Sequence, residues 1–148
     1  MNPLTQPVMQ AYVASAVVLG MNLLVLANNT ALTRAKATEV VNPEDTKLNA
    51  KAKVVLEGGN DRTARYRRAH RNALENVPLF LITGFLLTFT PVPFALAAGL
   101  FGAFTFFRVS HSVCYVAGLQ PWRTASFGMG ALTQLAVLMY LAYALAMA

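Results

Sequence analysis

Apolar residues run through this chain in long unbroken blocks, not in the short alternations of a water-soluble fold. Ala11–Leu32 is 22 residues without a charged side chain, and Val77–Phe107 is 31. Arg123 is the last charged residue, so Thr124–Ala148 is uncharged as well. A helix of about 20 mostly apolar residues crosses the roughly 30 Å of hydrocarbon in a bilayer. The longest block is divided at Thr90-Pro91-Val92-Pro93, where two prolines favour a turn. The pattern predicts four spans at about 10–32, 66–90, 94–118 and 121–147, with a loop at about 33–65. The fold class is therefore all-α, a polytopic membrane protein forming a single four-transmembrane-helix bundle over residues 1–148. The second span begins inside a charged stretch, so its first turns are expected to project from the hydrocarbon or to line a polar cavity.

Composition sharpens this. Hydrophobic residues make up 56% of the chain and charged ones only 12%, about half the share of an ordinary soluble domain. That excludes both a typical soluble enzyme and intrinsic disorder. The single cysteine, Cys114, excludes an intrachain disulfide and a multi-cysteine zinc site. The net charge of +6 would suit nucleic acid, but its placement points elsewhere. Ten of the twelve Lys and Arg residues fall between Arg34 and Arg71. A basic loop stays cytoplasmic, which puts both termini on the opposite side and brings the loop against anionic membrane lipids, with no nucleic-acid partner expected. Met1–Gln10 lacks Lys and Arg, unlike a secretory signal, so the first span is read as retained. A compact chain of this kind suits a bacterial inner membrane.

The residues that break the apolar pattern carry the chemistry. Arg68, Arg71, Asn72 and Glu75 stand at i, i+3, i+4 and i+7 of the second span and share a helix face. Arg108, His111, Ser112 and Tyr115 repeat the spacing in the third span, and Arg123 and Thr124 open the fourth. All three sets are expected at one membrane depth, near the basic loop. Ionisable groups at such depth face a cavity or a partner. A self-satisfied network is one reading, with Glu75 pairing an arginine. The excess of arginines over this one carboxylate favours another: an external anion that also offers an ammonium or amide donor. His70 and His111 are too few for a histidine metal site, no HExxH pattern occurs, and no metal is expected. Cys114 reads as a packing residue and Asn22 as an interhelical hydrogen-bonding residue.

The segment Arg68-Ala69-His70-Arg71-Asn72-Ala73-Leu74-Glu75 resembles the RAxxNxxE signature of the MAPEG family, the membrane-associated proteins in eicosanoid and glutathione metabolism. Asn42-Pro43-Glu44-Asp45, the set Arg108, His111 and Tyr115, and Pro121-Trp122-Arg123-Thr124 look particularly like its microsomal prostaglandin E synthase branch. The resemblance covers nearly the whole chain in order and spacing. It implies a homotrimer of four-helix subunits that holds glutathione between neighbours on the cytoplasmic side. Carried over by position, Arg34, Arg68, Arg71, Asn72 and Glu75 would contact glutathione, and Arg108, His111 and Tyr115 would complete the pocket. Glutathione brings two carboxylates for the arginines and an ammonium for Glu75. Arg123 would hold its sulfur as a thiolate and Thr124 would hydrogen-bond it. Asp45 is a candidate proton carrier in this branch, with a turn-capping role as the alternative. The chain departs from the branch at Thr124, where the branch has serine, and at Phe127, where it has tyrosine. Prostaglandin isomerase activity is therefore not carried over.

The implied function is a glutathione-dependent membrane enzyme, a glutathione S-transferase or peroxidase-like transferase. Its thiolate would conjugate a lipophilic electrophile or reduce a lipid peroxide arriving from the bilayer. Two other readings stand beside it: a non-catalytic lipid- or glutathione-binding membrane protein, and a small anion channel or transporter.

Overall fold

A computed structural model describes residues 2–56 and 59–147. Four helices dominate: α1 (Pro7–Lys36), α2 (Asp61–Leu87), α3 (Phe94–Ala117) and α4 (Trp122–Ala146). Between α1 and α2 the loop carries a 3-10 turn at Pro43–Lys47 and a two-residue parallel ladder of β1 (Glu39–Val40) with β2 (Lys53–Val54). The turn falls on Asn42-Pro43-Glu44-Asp45, which the sequence marks as a turn, whereas the sequence pattern does not predict the ladder.

Each helix boundary has a local cause. Pro7 opens α1 with its φ already set for a helix. Arg34 and Lys36 close it, cations at the negative end of the helix dipole. Hydropathy would start α2 at about 66, whereas the structure starts it at Asp61. The Asn60 side chain caps it, accepting from the backbone N–H groups of Arg62 and Thr63 at 3.1 Å each. The arginines and alanines that follow are good helix formers, charged or not. α3 ends at Gly118, whose φ of 72° suits glycine, and the Leu119 N–H returns to the Cys114 carbonyl at 2.9 Å. This tight turn delivers the chain to Pro121 and the start of α4.

Among the described residues, α1, α3 and α4 are long and apolar enough to cross a membrane on their own. α2 is not among them, because its first half carries the arginines. The fold is an all-α membrane bundle in which the charged half of α2 extends toward the basic loop. α3 packs between α1 and α4, and α2 packs across α1 and α3 with a smaller contact to α4. The core is aromatic at its centre: Phe80 and Phe104 stack with ring centres 3.8 Å apart, and Phe101 meets Phe80 edge-on. Met21 and Leu24 of α1, Phe106 of α3 and Met139 of α4 point outward. In water such a surface would aggregate; a bilayer solvates it.

Polar side chains tie the helices together inside this apolar setting. Asn22 donates to Ser112 Oγ at 3.0 Å, as its place in the first span predicts, and Gln134 donates to Thr83 Oγ1 at 3.0 Å. The Tyr12 hydroxyl donates to the Leu81 carbonyl at 3.0 Å. At the loop end, the Glu39 carboxylate accepts from the Asn60 backbone N–H (3.1 Å) and side-chain amide (3.2 Å), while Thr63 donates to Thr33 (3.1 Å). These bonds fasten β1 and the end of α1 to the start of α2.

Candidate functional site

The turn between α3 and α4 brings the polar ends of these helices together. Arg123, in the first turn of α4, lays its guanidinium over the Tyr115 ring of α3, 4.9 Å from the ring centre. The Gln120 amide sits between Arg123 and Thr124. Its contacts are satisfied when its oxygen accepts from the Arg123 guanidinium and its nitrogen donates to Thr124 Oγ1 at 3.0 Å. The three residues form a small polar cluster at the mouth of α4, with Thr124 and Gln120 exposed and Arg123 half-buried.

His111 lies one layer deeper. Its Nδ1 is 2.9 Å from the Arg123 carbonyl, and a carbonyl only accepts, so Nδ1 carries the proton. In a neutral ring Nε2 is then a bare acceptor, and it is buried without a partner among the described residues. The ring also meets Tyr115 and Phe127, each at 5.6 Å between centres.

Arg108 lies deepest, with only 2% of its surface exposed. Its guanidinium sits between the rings of Phe104 (5.4 Å) and Phe127 (5.1 Å), and Nη1 reaches Asn72 Oδ1 at 3.5 Å. Nε and Nη2 are buried without partners among the described residues. α4 makes room with Gly130, where a Cβ would fall 3.0 Å from Arg108 Nε. A buried guanidinium with two unmatched donors is costly and calls for an anion or a water.

The arginine-rich face of α2 is split in two. The sequence places Arg68, Arg71, Asn72 and Glu75 on one face, but that spacing spans about 100° of a helix circumference. Asn72 stands at the edge of the arc nearest α3 and turns inward to Arg108. Arg68, Arg71 and Glu75 point outward. Arg71 and Glu75 approach to 4.0 Å with 76% and 61% of their side chains exposed, the only ion pair among the described residues. Arg34 and Asp45 are elsewhere again. They line a cavity of about 410 Å³ beneath the loop, together with Glu39, and none of the other candidate site residues lines it. Asp45 does not cap the turn; it lies inside the Pro43–Lys47 turn and accepts from Asn42 Nδ2 at 3.5 Å. Among the described residues, no group of three His, Cys, Asp or Glu side chains is placed to hold a metal.

A single chain therefore assembles Asn72, Arg108, His111, Tyr115, Arg123 and Thr124. It leaves Arg68, Arg71 and Glu75 on an open face. A family model for the MAPEG family matches residues 12–143. The chain belongs to the MAPEG family. Microsomal glutathione S-transferase 1 of Homo sapiens is 33% identical to this MAPEG protein over 127 residues, covering 83% of the chain and 81% of the relative. The proteins of the same name from Sus scrofa and Rattus norvegicus are each 32% identical over the same shares. The names of these relatives support a glutathione transferase-type enzyme of the membrane for this MAPEG chain as well. Three participants in the site escape sequence reasoning: Gln120, Phe127 as a ring over Arg108, and Gly130. Gly130 carries a readable trace, since it stands seven residues after Arg123, on the same face of a helix in which glycine is otherwise unfavourable.

Proposed function

We propose that this MAPEG protein activates the thiol of glutathione with Arg123 and transfers it to a lipophilic electrophile arriving from the bilayer. The observation that carries this reading is the cluster at the start of α4. Arg123 is held by the Tyr115 ring and the Gln120 amide, beside the Thr124 hydroxyl. A fixed cation at a helix N-terminus favours a bound thiolate over the neutral thiol, because its charge and the first-turn amides act on the same anion. Thr124 supplies a hydroxyl that can donate to the sulfur. The same thiolate serves for reduction of a lipid peroxide. Substrate solubility explains the location: the electrophile partitions into the hydrocarbon, and glutathione reaches the basic end from the cytoplasm.

The outward set Arg68, Arg71 and Glu75 supports glutathione bound between subunits. Among the described residues Arg71 and Glu75 pair only with each other, at 4.0 Å and in full contact with solvent, so they are free to meet the carboxylates and ammonium of a ligand held against a neighbour. A homotrimer places this face against the next subunit, where Arg34 of that neighbour completes the contacts. Asp45 is proposed as a proton carrier, and its half-buried carboxyl in the Arg34 cavity is the support for that role. The basic loop faces the cytoplasm of a bacterial inner membrane.

Arg123→Ala tests the reading. It is expected to abolish most turnover of a thiol-reactive aromatic electrophile while much of the glutathione affinity survives, since other arginines hold the carboxylates. Thr124→Ala is expected to cost less, losing a hydroxyl and no charge. Intact turnover and an intact thiolate absorbance in Arg123→Ala would place activation elsewhere.

A further inference from the structure

One face of α1 carries three clefts in succession. Val18 lines the first, about 440 Å³, together with Phe106, Val109 and Val113 of α3. Asn22 and Val25 line the second, about 320 Å³, with Val113 and Val116. Asn29, Leu32 and Lys36 line the third, about 290 Å³, with Asn60 and Arg62 from the start of α2. Positions 18, 22, 25, 29, 32 and 36 advance by threes and fours, a single stripe along the helix. Val113 lines both α1–α3 clefts, so the two adjoin along the same seam. From Leu32 to Val18 the stripe runs about 21 Å, enough to span one leaflet of roughly 15 Å of hydrocarbon.

The polar end of the stripe has its own logic. Asn29 Nδ2 donates to the Val25 carbonyl (2.8 Å), Thr33 donates to the Asn29 carbonyl (2.7 Å), and Asn60 caps α2. The neutral groups of the third cleft are thus engaged within the protein. Lys36 and Arg62 are exposed, and among the described residues they form no ion pair and no carboxylate lines the cleft. Beyond them the groove walls are apolar and open, with Val25 53%, Val113 59% and Phe106 65% exposed.

We propose that this face of α1 binds one anionic phospholipid, its phosphate between Lys36 and Arg62 and an acyl chain along the groove between α1 and α3. The order of the clefts, cations first and apolar walls after, matches a headgroup joined to a chain. Free phosphate would use only the third cleft. A zwitterionic lipid gains less, because its own ammonium offsets the phosphate. None of the residues proposed for glutathione lines the stripe, so the two sites are separate.

The test uses the intact protein in nanodiscs of equal parts phosphatidylglycerol and phosphatidylcholine, with retained lipid read by native mass spectrometry. Wild type is expected to prefer phosphatidylglycerol by roughly 30-fold, from about 5-fold for each cation at the membrane surface. The double variant K36Q/R62Q loses that preference. The double variant K47Q/K51Q removes equal charge from the loop outside the groove and keeps it. Val113→Trp fills the groove and lowers retention of both lipids, and millimolar inorganic phosphate displaces neither. Equal retention of the two lipids by wild type overturns the proposal, as does equal loss in K47Q/K51Q, unchanged retention in Val113→Trp or displacement by phosphate. Absence of retained lipid, with a Val113→Cys variant cross-linking to a second copy of the chain, overturns it in favour of a protein contact.

Discussion

Gly130→Ala probes the space around Arg108 with a single methyl group. The new carbon would stand 3.0 Å from Nε, 3.1 Å from Nη2 and 3.3 Å from Cζ. The guanidinium has little room to retreat, because Phe104 and Phe127 hold its position and Asn72 its far end. Overpacking a tight interior costs about 1–3 kcal/mol. Replacing glycine by alanine within a helix returns roughly 0.5–1 kcal/mol, so the net effect is a loss of up to about 2 kcal/mol. Gly128→Ala is the control: it lies two residues away in the same helix, and nothing approaches its Cβ within 4 Å. That variant is expected to gain the helix term alone. The two variants should then differ by about 1–3 kcal/mol, or roughly 2–4 °C per kcal/mol in thermal midpoint for a chain of this size. Midpoints measured in one detergent, alongside glutathione affinity, check this. Equal midpoints for the two variants would mean that Arg108 is free to move and that Gly130 has no part in placing it.

Other outcomes follow from the same geometry. Glu75→Gln is expected to weaken glutathione binding by about 1.5–3 kcal/mol, measured by titration calorimetry; unchanged affinity in an intact assembly would remove Glu75 from the site. Mass measurement in detergent should give three copies, and a stable active monomer would exclude a pocket shared between subunits. Gln134→Leu gives up a hydrogen bond to Thr83 worth about 0.6 kcal/mol but also removes a buried, unmatched carbonyl oxygen. The hydroxyl of Thr83 keeps its own acceptor, the Leu79 carbonyl at 2.9 Å. Stability should therefore hold or rise by up to about 2 kcal/mol, and a clear fall in melting midpoint would show that the Gln134 oxygen has a partner in the assembled protein.

Hydropathy alone reads the helices that lipid surrounds. α1, α3 and α4 are apolar nearly throughout, and two prolines separate α2 from α3. The start of α2 is hidden because hydropathy sees five arginines, Arg62 to Arg71, where the backbone sees a capped run of helix formers. The α1–α2 loop is opaque for a different reason: its ladder pairs Glu39 with Lys53 and its latch joins Glu39 to Asn60, contacts between residues far apart in sequence that no local pattern encodes. In the site, spacing identifies the polar face but not which members turn inward. Asn72 and Arg71 are neighbours in sequence, yet about 100° of helix rotation sends one to Arg108 and the other to the surface. Gln120 is unreadable for a third reason, since it acquires its role only when the turn after Gly118 folds its amide onto Arg123.

The carbonyl of Arg123 ties α3 to α4. Besides its place in the α4 backbone ladder, it accepts from His111 at 2.9 Å and from the Ser126 hydroxyl at 3.1 Å. Rotation of α4 about its axis, or sliding along α3, would leave the His111 Nδ1–H without its acceptor, so this bond couples the two helices. α1 and α2 are coupled to each other at their loop end by the Thr63–Thr33 bond and reach α3 by the single side-chain bonds of Asn22 and Asn72. The buried Gln134–Thr83 bond and the Phe80–Phe104 stack also cross the seam between these two helix pairs, and Arg108, which faces Asn72 there, is a buried charge that any opening of the seam would wet.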